Sequence, residues 1–93
     1  MRLFSSNNIS IVGFIYRHEL FATSPVILTG YIKAALGGEM YTFTDGFSDI
    51  TVEIDYDKWW GLSVTPQTKV QISGEIDKEF LSTTVDVDMI KAV

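Results

Sequence analysis

The chain contains no cysteine, so disulfides and thiolate metal sites are excluded, and its redox compartment is not readable from composition. Its one histidine, His18, stands in the N-terminal segment. A lone imidazole makes neither a Ser–His–Asp triad nor a multi-histidine metal centre, and a surface or helix position is the plain reading. No stretch approaches the roughly 20 apolar residues that a membrane-spanning helix needs. The apolar run from Ile11 to Tyr16 is also shorter than the roughly 7–15 residues of a secretory leader, and Arg17 and His18 close it. Positive charge is scarce as well. Seven Lys and Arg face twelve Asp and Glu, a formal net charge of −5. Eleven of the acids fall between Glu39 and Asp88, against only Lys58, Lys69 and Lys78. Such a field repels nucleic-acid phosphates and anionic lipid, and attracts cations or basic partners.

What the chain does have is apolar and aromatic content: 46% hydrophobic residues and 13% aromatics in 93 residues. That is a globular composition and fits a single domain, residues 1–93, with one modest core. Residues 1–24 read as a polar lead-in followed by a short helix. Ser10 would cap this helix, which would run to about Leu20 and bury Ile11, Phe14, Ile15 and Leu20. Its β-branched residues and Gly13 leave a strand from Ile9 to Tyr16 as the rival. Pro25 disfavours helix at Ser24, and the pattern from there on is β.

Val26, Leu28, Gly30 and Ile32 alternate with Ile27, Thr29, Tyr31 and Lys33, which predicts a long strand to about Ala35, with a bend or a close backbone approach at Gly30. After the turn "LGGE", Tyr41 and Phe43 share one face of a second strand. "DGFSD" turns the chain into a third strand, from about Ile50 to Tyr56, with Val52, Ile54 and Tyr56 inward. "DKWWGLSVTPQTK" is irregular, and Pro66 suits the first central position of a turn. A fourth strand starts near Val70, "DKEFLS" is a turn or short helical link, and a fifth strand holds Val85, Val87 and Met89. Five short strands without room for crossover helices predict a mainly antiparallel sheet, closed as a small all-β Greek-key barrel over residues 25–91.

The segments "VILTGYI", "YTFTDGFSDITVEIDYDKWWG", "VTPQTKVQISGEIDKEF" and "TTVDVDMIK" together resemble the bacterial OB-fold (BOF) family of YgiW/YdeI-type stress-tolerance proteins. The resemblance runs from about Pro25 to Lys91. It implies a five-stranded OB barrel with an N-terminal helix, a non-enzymatic role in stress tolerance, and residence in the periplasm of Gram-negative bacteria. The leader such proteins carry is not recognisable within these residues, so a cytoplasmic location is the alternative. The resemblance carries no binding motif over to particular positions.

The candidate site residues are Asp45, Asp49, Glu53, Asp55, Asp57 and Trp60. Glu53 and Asp55 are two apart on one strand and share a face about 7 Å apart. Asp45 and Asp49 flank the preceding turn. Hard cations such as calcium take about six to eight oxygen ligands, several from carboxylates. The plainer alternative is an outward polar face that keeps the barrel soluble. A paired-carboxylate hydrolase needs a cleft that a barrel of this size has little room for, and no catalytic residue or cofactor is assigned. Of the tryptophans, Trp59 is the expected core residue and Trp60 the rim or surface one. The outward positions Thr42, Thr44, Thr51, Glu53 and Asp55 offer neither the bases nor the rings that nucleic-acid binding requires. The expected partner is therefore a cationic small molecule, a metal ion or a basic peptide. The alternative is protein interaction or self-association through Trp60 and an edge strand.

Overall fold

A computed structural model describes residues 10–17, 24–79 and 82–93. Five strands follow one short helix: α1 (Ile11–Arg17), β1 (Pro25–Gly37), β2 (Met40–Thr44), β3 (Asp49–Glu53), β4 (Val70–Glu79) and β5 (Ser82–Ala92). A single 3₁₀ turn, Tyr56–Lys58, follows β3. The strands close into a barrel in the order β1-β2-β3-β5-β4. Every pairing is antiparallel except that of β3 with β5. The expected five-strand OB architecture is therefore present, with β1 reaching Gly37.

The period-2 pattern decides most of what lies inside; β5 departs from it after Val87, where the register shift against β4 buries Ile90 and leaves Met89, expected inward, 57% exposed. Leu28 and Ile32 of β1, Phe43 of β2, Ile50 and Val52 of β3, Val70, Ile72 and Ile76 of β4, and Val85, Val87 and Ile90 of β5 are buried. Among the described residues no polar or charged side chain is buried. Fully burying aliphatic side chains of this size contributes about 1.5–3 kcal/mol each, so the barrel interior is the main source of stability.

The helix is present, but it presents a different face to the barrel. Val12 and Ile15 are fully buried, whereas Ile11 and Phe14 are 47% and 41% exposed. Ile15 was expected inside, but Ile11 and Phe14 were not expected outside. Helical periodicity alone allows either stripe, and the choice was made by the start of the helix. Ser10 caps it, its Oγ accepting from the Gly13 N–H at 2.9 Å, and Asp45 of the β2–β3 turn accepts from the Val12 N–H at 3.1 Å. Docking at Asp45 turns Val12 toward the core. Leu20, His18 and the lead-in from residue 1 to 8 lie outside the described residues.

Tyr56 is also a correction. It was read as a core residue of β3, but it is 72% exposed. The strand ends at Glu53, and the backbone then enters the 3₁₀ turn. Alternation fails once the ladder stops, and the Tyr56 N–H is held instead by the Glu39 carboxylate at 2.8 Å. The "DKEFLS" stretch is strand on both sides, β4 continuing to Glu79 and β5 beginning at Ser82. Pro66 occupies its expected turn, closed by the Thr68 N–H donating to the Thr65 carbonyl at 3.0 Å.

Two glycines let strands cross closely. A Cβ on Gly30 would collide with the Thr44 carbonyl oxygen and sit 2.9 Å from the Phe43 ring. One on Gly74, at the register shift between β4 and β5, would collide with the Asp86 carbonyl oxygen. In both cases the obstacle is backbone, which cannot swing aside. Gly74→Ala is therefore expected to lower unfolding free energy by about 2–4 kcal/mol in urea titration, whereas Ser73→Ala should change it by less than about 1 kcal/mol.

Candidate functional site

The structure divides the six candidate residues into separate groups. Asp45 is consumed by the fold. Its Oδ2 accepts from Ser10 Oγ at 2.8 Å and from the Val12 N–H, and its Oδ1 accepts from the Phe47 and Ser48 N–H groups, both at 2.9 Å. One carboxylate thus locks the β2–β3 turn and caps α1, where the positive end of the helix favours an anion. Burial pulls its pKa upward, but these four hydrogen bonds outweigh that effect and hold it below the ordinary carboxylate value. Asp49 pairs with Lys33 at 2.8 Å, an exposed ion pair whose hydrogen bond lowers the Asp49 pKa. Burial and then the charge on Asp49 push the Tyr16 phenol upward. Asp57 lies exposed in the 3₁₀ turn.

Glu53 and Asp55 do come together, with a third acid that the sequence reading left out. One carboxylate oxygen from each of Glu39, Glu53 and Asp55 lies within 4.8 Å of the other two. The β2–β3 hairpin pairs Met40 with Glu53, so Glu39 faces the end of β3, and its carbonyl accepts from the Ile54 N–H at 2.8 Å. That partnership follows from counting back along the hairpin from "DGFSD", a step that strand-by-strand periodicity does not take. The bond from the Tyr56 N–H to Glu39 Oε2 then fixes the direction of its carboxylate.

The surroundings are strongly negative. Glu53 sits directly opposite Asp86 across the β3–β5 ladder, and Asp86 is opposite Glu75 on β4. Partial burial, followed by repulsion from Asp86, Asp55, Glu39 and Asp77, raises the Glu53 pKa. Calcium binds oxygen at about 2.3–2.6 Å, so two of its ligands stand at most about 5 Å apart. The spacing of the three carboxylates is within that limit. Three protein groups leave several positions to water, which fits weak binding.

Trp60 is at the surface, as expected, whereas Trp59, expected in the core, is only partly buried. Trp59 packs against the core and stands edge-on to Tyr41, with ring centroids 5.5 Å apart at 70°. Trp60 is 87% exposed and has φ of 52°, a left-handed conformation that is strained for a bulky side chain.

A closed barrel of this strand order, with no buried charge among the described residues and a small acidic face, defines an OB-fold protein. The chain belongs to the bacterial OB fold (BOF) protein family, whose profile matches residues 5–92. It is 40% identical over 68 residues to protein YgiW of Escherichia coli, covering 73% of this chain and 52% of that protein. It is 29% identical over 70 residues to the calcium-regulated OB-fold protein CarO of Pseudomonas aeruginosa, covering 75% of this chain and 60% of CarO. The chain thus spans about half to three-fifths of the length of these relatives. The solved structure of E. coli YgiW superposes with a TM-score of 0.78 at 38% identity, covering 80% of each chain. The telomere capping protein Ten1 of Saccharomyces pombe shares the fold with a TM-score of 0.59 at 17% identity, covering 78% of this chain and 69% of Ten1.

The two kinds of acid titrate oppositely. The folded pKa of Asp45 lies below its unfolded value, so its stabilisation is present above about pH 4 and is lost as pH falls through the folded value. Glu53 is raised, so it costs stability at neutral pH, and that cost disappears as pH falls below its unfolded value. Asp45→Ala should therefore lose about 1–3 kcal/mol at pH 7 in urea titration, with much less difference from wild type near pH 2. Glu53→Gln should raise the melting temperature at pH 7 in the presence of a chelator. A lower melting temperature would mean that Glu53 is not under net repulsion.

Proposed function

We propose that this chain is a non-catalytic binding protein of the bacterial stress-tolerance kind, acting in the periplasm, whose acidic face takes a cation. The observation that carries this reading is the convergence of Glu39, Glu53 and Asp55 oxygens within 4.8 Å of one another. The raised Glu53 pKa supports it, because the repulsion it reflects is relieved by a bound cation. A divalent metal ion is the first ligand class, and polyamines or basic peptides are the second, drawn by the wider row through Asp86 and Glu75. The name of CarO, which speaks of calcium regulation, makes calcium the first ion to try. The same field disfavours nucleic acid.

Calcium titration followed by ¹H–¹⁵N NMR tests this directly. The amides of Glu39 and of residues 53–56 should shift with a dissociation constant of roughly 0.1–1 mM. At tenfold that concentration the fold should gain about 1.4 kcal/mol, and the double variant Glu53→Gln/Asp55→Asn should lose both effects. Silence of those amides toward calcium, spermidine and a polylysine peptide alike would end the reading. Cell fractionation of the native host addresses location: the protein should be released with the periplasmic contents.

One observation favours a second reading. Trp60 is both strained and exposed, and strain of this kind persists where a function holds it. A protein contact through its ring is the alternative. The edge-strand part of that idea is confined to segments outside the ladders, such as the Tyr31–Gly37 half of β1, which pairs with β2 but not with β4. Light scattering after size exclusion should separate wild type from Trp60→Gly if the ring mediates association. Identical masses at all concentrations would exclude self-association through it.

A further inference from the structure

The connection between β3 and β4, residues 54–69, folds back beside the outer half of β1. Two turns hold its shape: the Leu62 N–H donates to the Trp59 carbonyl at 2.8 Å and the Thr68 N–H to the Thr65 carbonyl at 3.0 Å. The Thr65 N–H also donates to Thr68 Oγ1 at 3.0 Å, and the Gln67 N–H to Thr65 Oγ1 at 3.2 Å. This wall is therefore built by its own hydrogen bonds. Opposite it, β1 breaks register between Ile32 and Ala34 and again between Ala35 and Gly37. The bent strand presents two small side chains, Ala34 and Ala35, where a larger one would close the gap.

Between the two walls lies a cavity of about 360 Å³, within the range of about 300–1,000 Å³ typical of small-molecule sites. Tyr41, Trp59, Leu62 and Val64 line it, and the edge-on Tyr41–Trp59 pair makes an aromatic corner. The one charged residue among the lining is Lys33. Its ammonium has three N–H donors, and Asp49 accepts from it at 2.8 Å. That pairing offsets the Lys33 charge but takes up one donor of three, and no carboxylate stands among the lining residues. A second hollow, lined by Tyr31, Thr44, Gly46 and Gln67, adjoins it at Lys33 and Pro66.

From this geometry we infer a second ligand site, separate from the acidic face, which takes a small flat apolar molecule carrying one anionic group. The ring lies against Trp59 and Tyr41, and the anion meets the Lys33 ammonium. A cationic molecule of the same shape would find no carboxylate among the lining residues, and the Lys33 ammonium offers it donors but no acceptor.

The test is an NMR titration of the whole chain with 2-naphthoate, with 2-naphthylmethylamine as its cationic counterpart. The amides of Ala35, Tyr41, Trp59 and Leu62 should shift, saturating in roughly the millimolar range, and the amine should bind about tenfold more weakly. Lys33→Met should weaken naphthoate about tenfold, and Lys33→Arg should restore it to within about threefold. Ala35→Phe, at an exposed position, should fill the cavity and abolish binding. If that variant loses its dispersed spectrum, the Lys33 pair of variants decides alone. Unshifted amides at these positions, equal affinity for the two probes, or indifference to Lys33→Met would each overturn the inference. Saturating calcium should leave the titration unchanged, so failure here and failure at Glu39, Glu53 and Asp55 are separately visible.

Discussion

The barrel depends on one short ladder, the parallel pairing of Thr51, Val52 and Glu53 with Thr84, Val85 and Asp86. It joins the β1-β2-β3 meander to the β4-β5 hairpin on one side, as the β1–β4 ladder does on the other, and is the one parallel pairing among the described residues. Because side chains alternate strictly, burying Val52 against Val85 forces Glu53 outward beside Asp86. A slip of β5 by one residue would relieve the acids but turn its buried Val85 and Val87 to water. The crowding of carboxylates is therefore a direct consequence of closure, and the hydrophobic interior wins because several buried aliphatics outweigh repulsion on a solvated surface.

The chain uses its acids in two physically different ways. Asp45 is saturated by four hydrogen-bond donors and held ionised, so it ties α1 to the β2–β3 turn and has no accepting capacity directed elsewhere. Glu53 faces other acids and is pushed toward its neutral form. A carboxylate satisfied by amides has little to gain from a cation, whereas one pressed against its own kind has much to gain. That contrast moves the candidate site away from the β2–β3 turn and onto the open end of the hairpin, with Glu39 as its third member.

Much of the fold was legible in the residues. Alternation gave the inward faces of β1 and β4, and of β5 as far as Val87, beyond which the register shift opposite Gly74 puts Ile90 inside and leaves Met89 57% exposed; Gly30 and Pro66 marked a close crossing and a turn; and the ordered motifs pointed to the family. What alternation could not supply was any fact resting on pairing between segments. Tyr56 continues the β3 pattern on paper, but the ladder has already ended and Glu39 has taken its N–H. Ile11 and Phe14 form as good a helical stripe as Val12 and Ile15, and only the Asp45 contact chooses between them. Glu39 sits in a glycine-rich turn with no strand pattern of its own, and hairpin register alone reveals its place beside Glu53 and Asp55.

The central claim is that the β2–β3 hairpin assembles a cation site from Glu39, Glu53 and Asp55, beside the Asp86 that closure brings up, and leaves Asp45 outside it. Paramagnetic broadening by Mn²⁺, read amide by amide at substoichiometric metal, tests it most directly. The account predicts that the signals of Glu39 and of residues 53–56 disappear first, with Asp86 close behind, while those of Asp45 to Ser48 persist. Broadening that begins at Asp45, or that spreads evenly over all exposed acids, would contradict it.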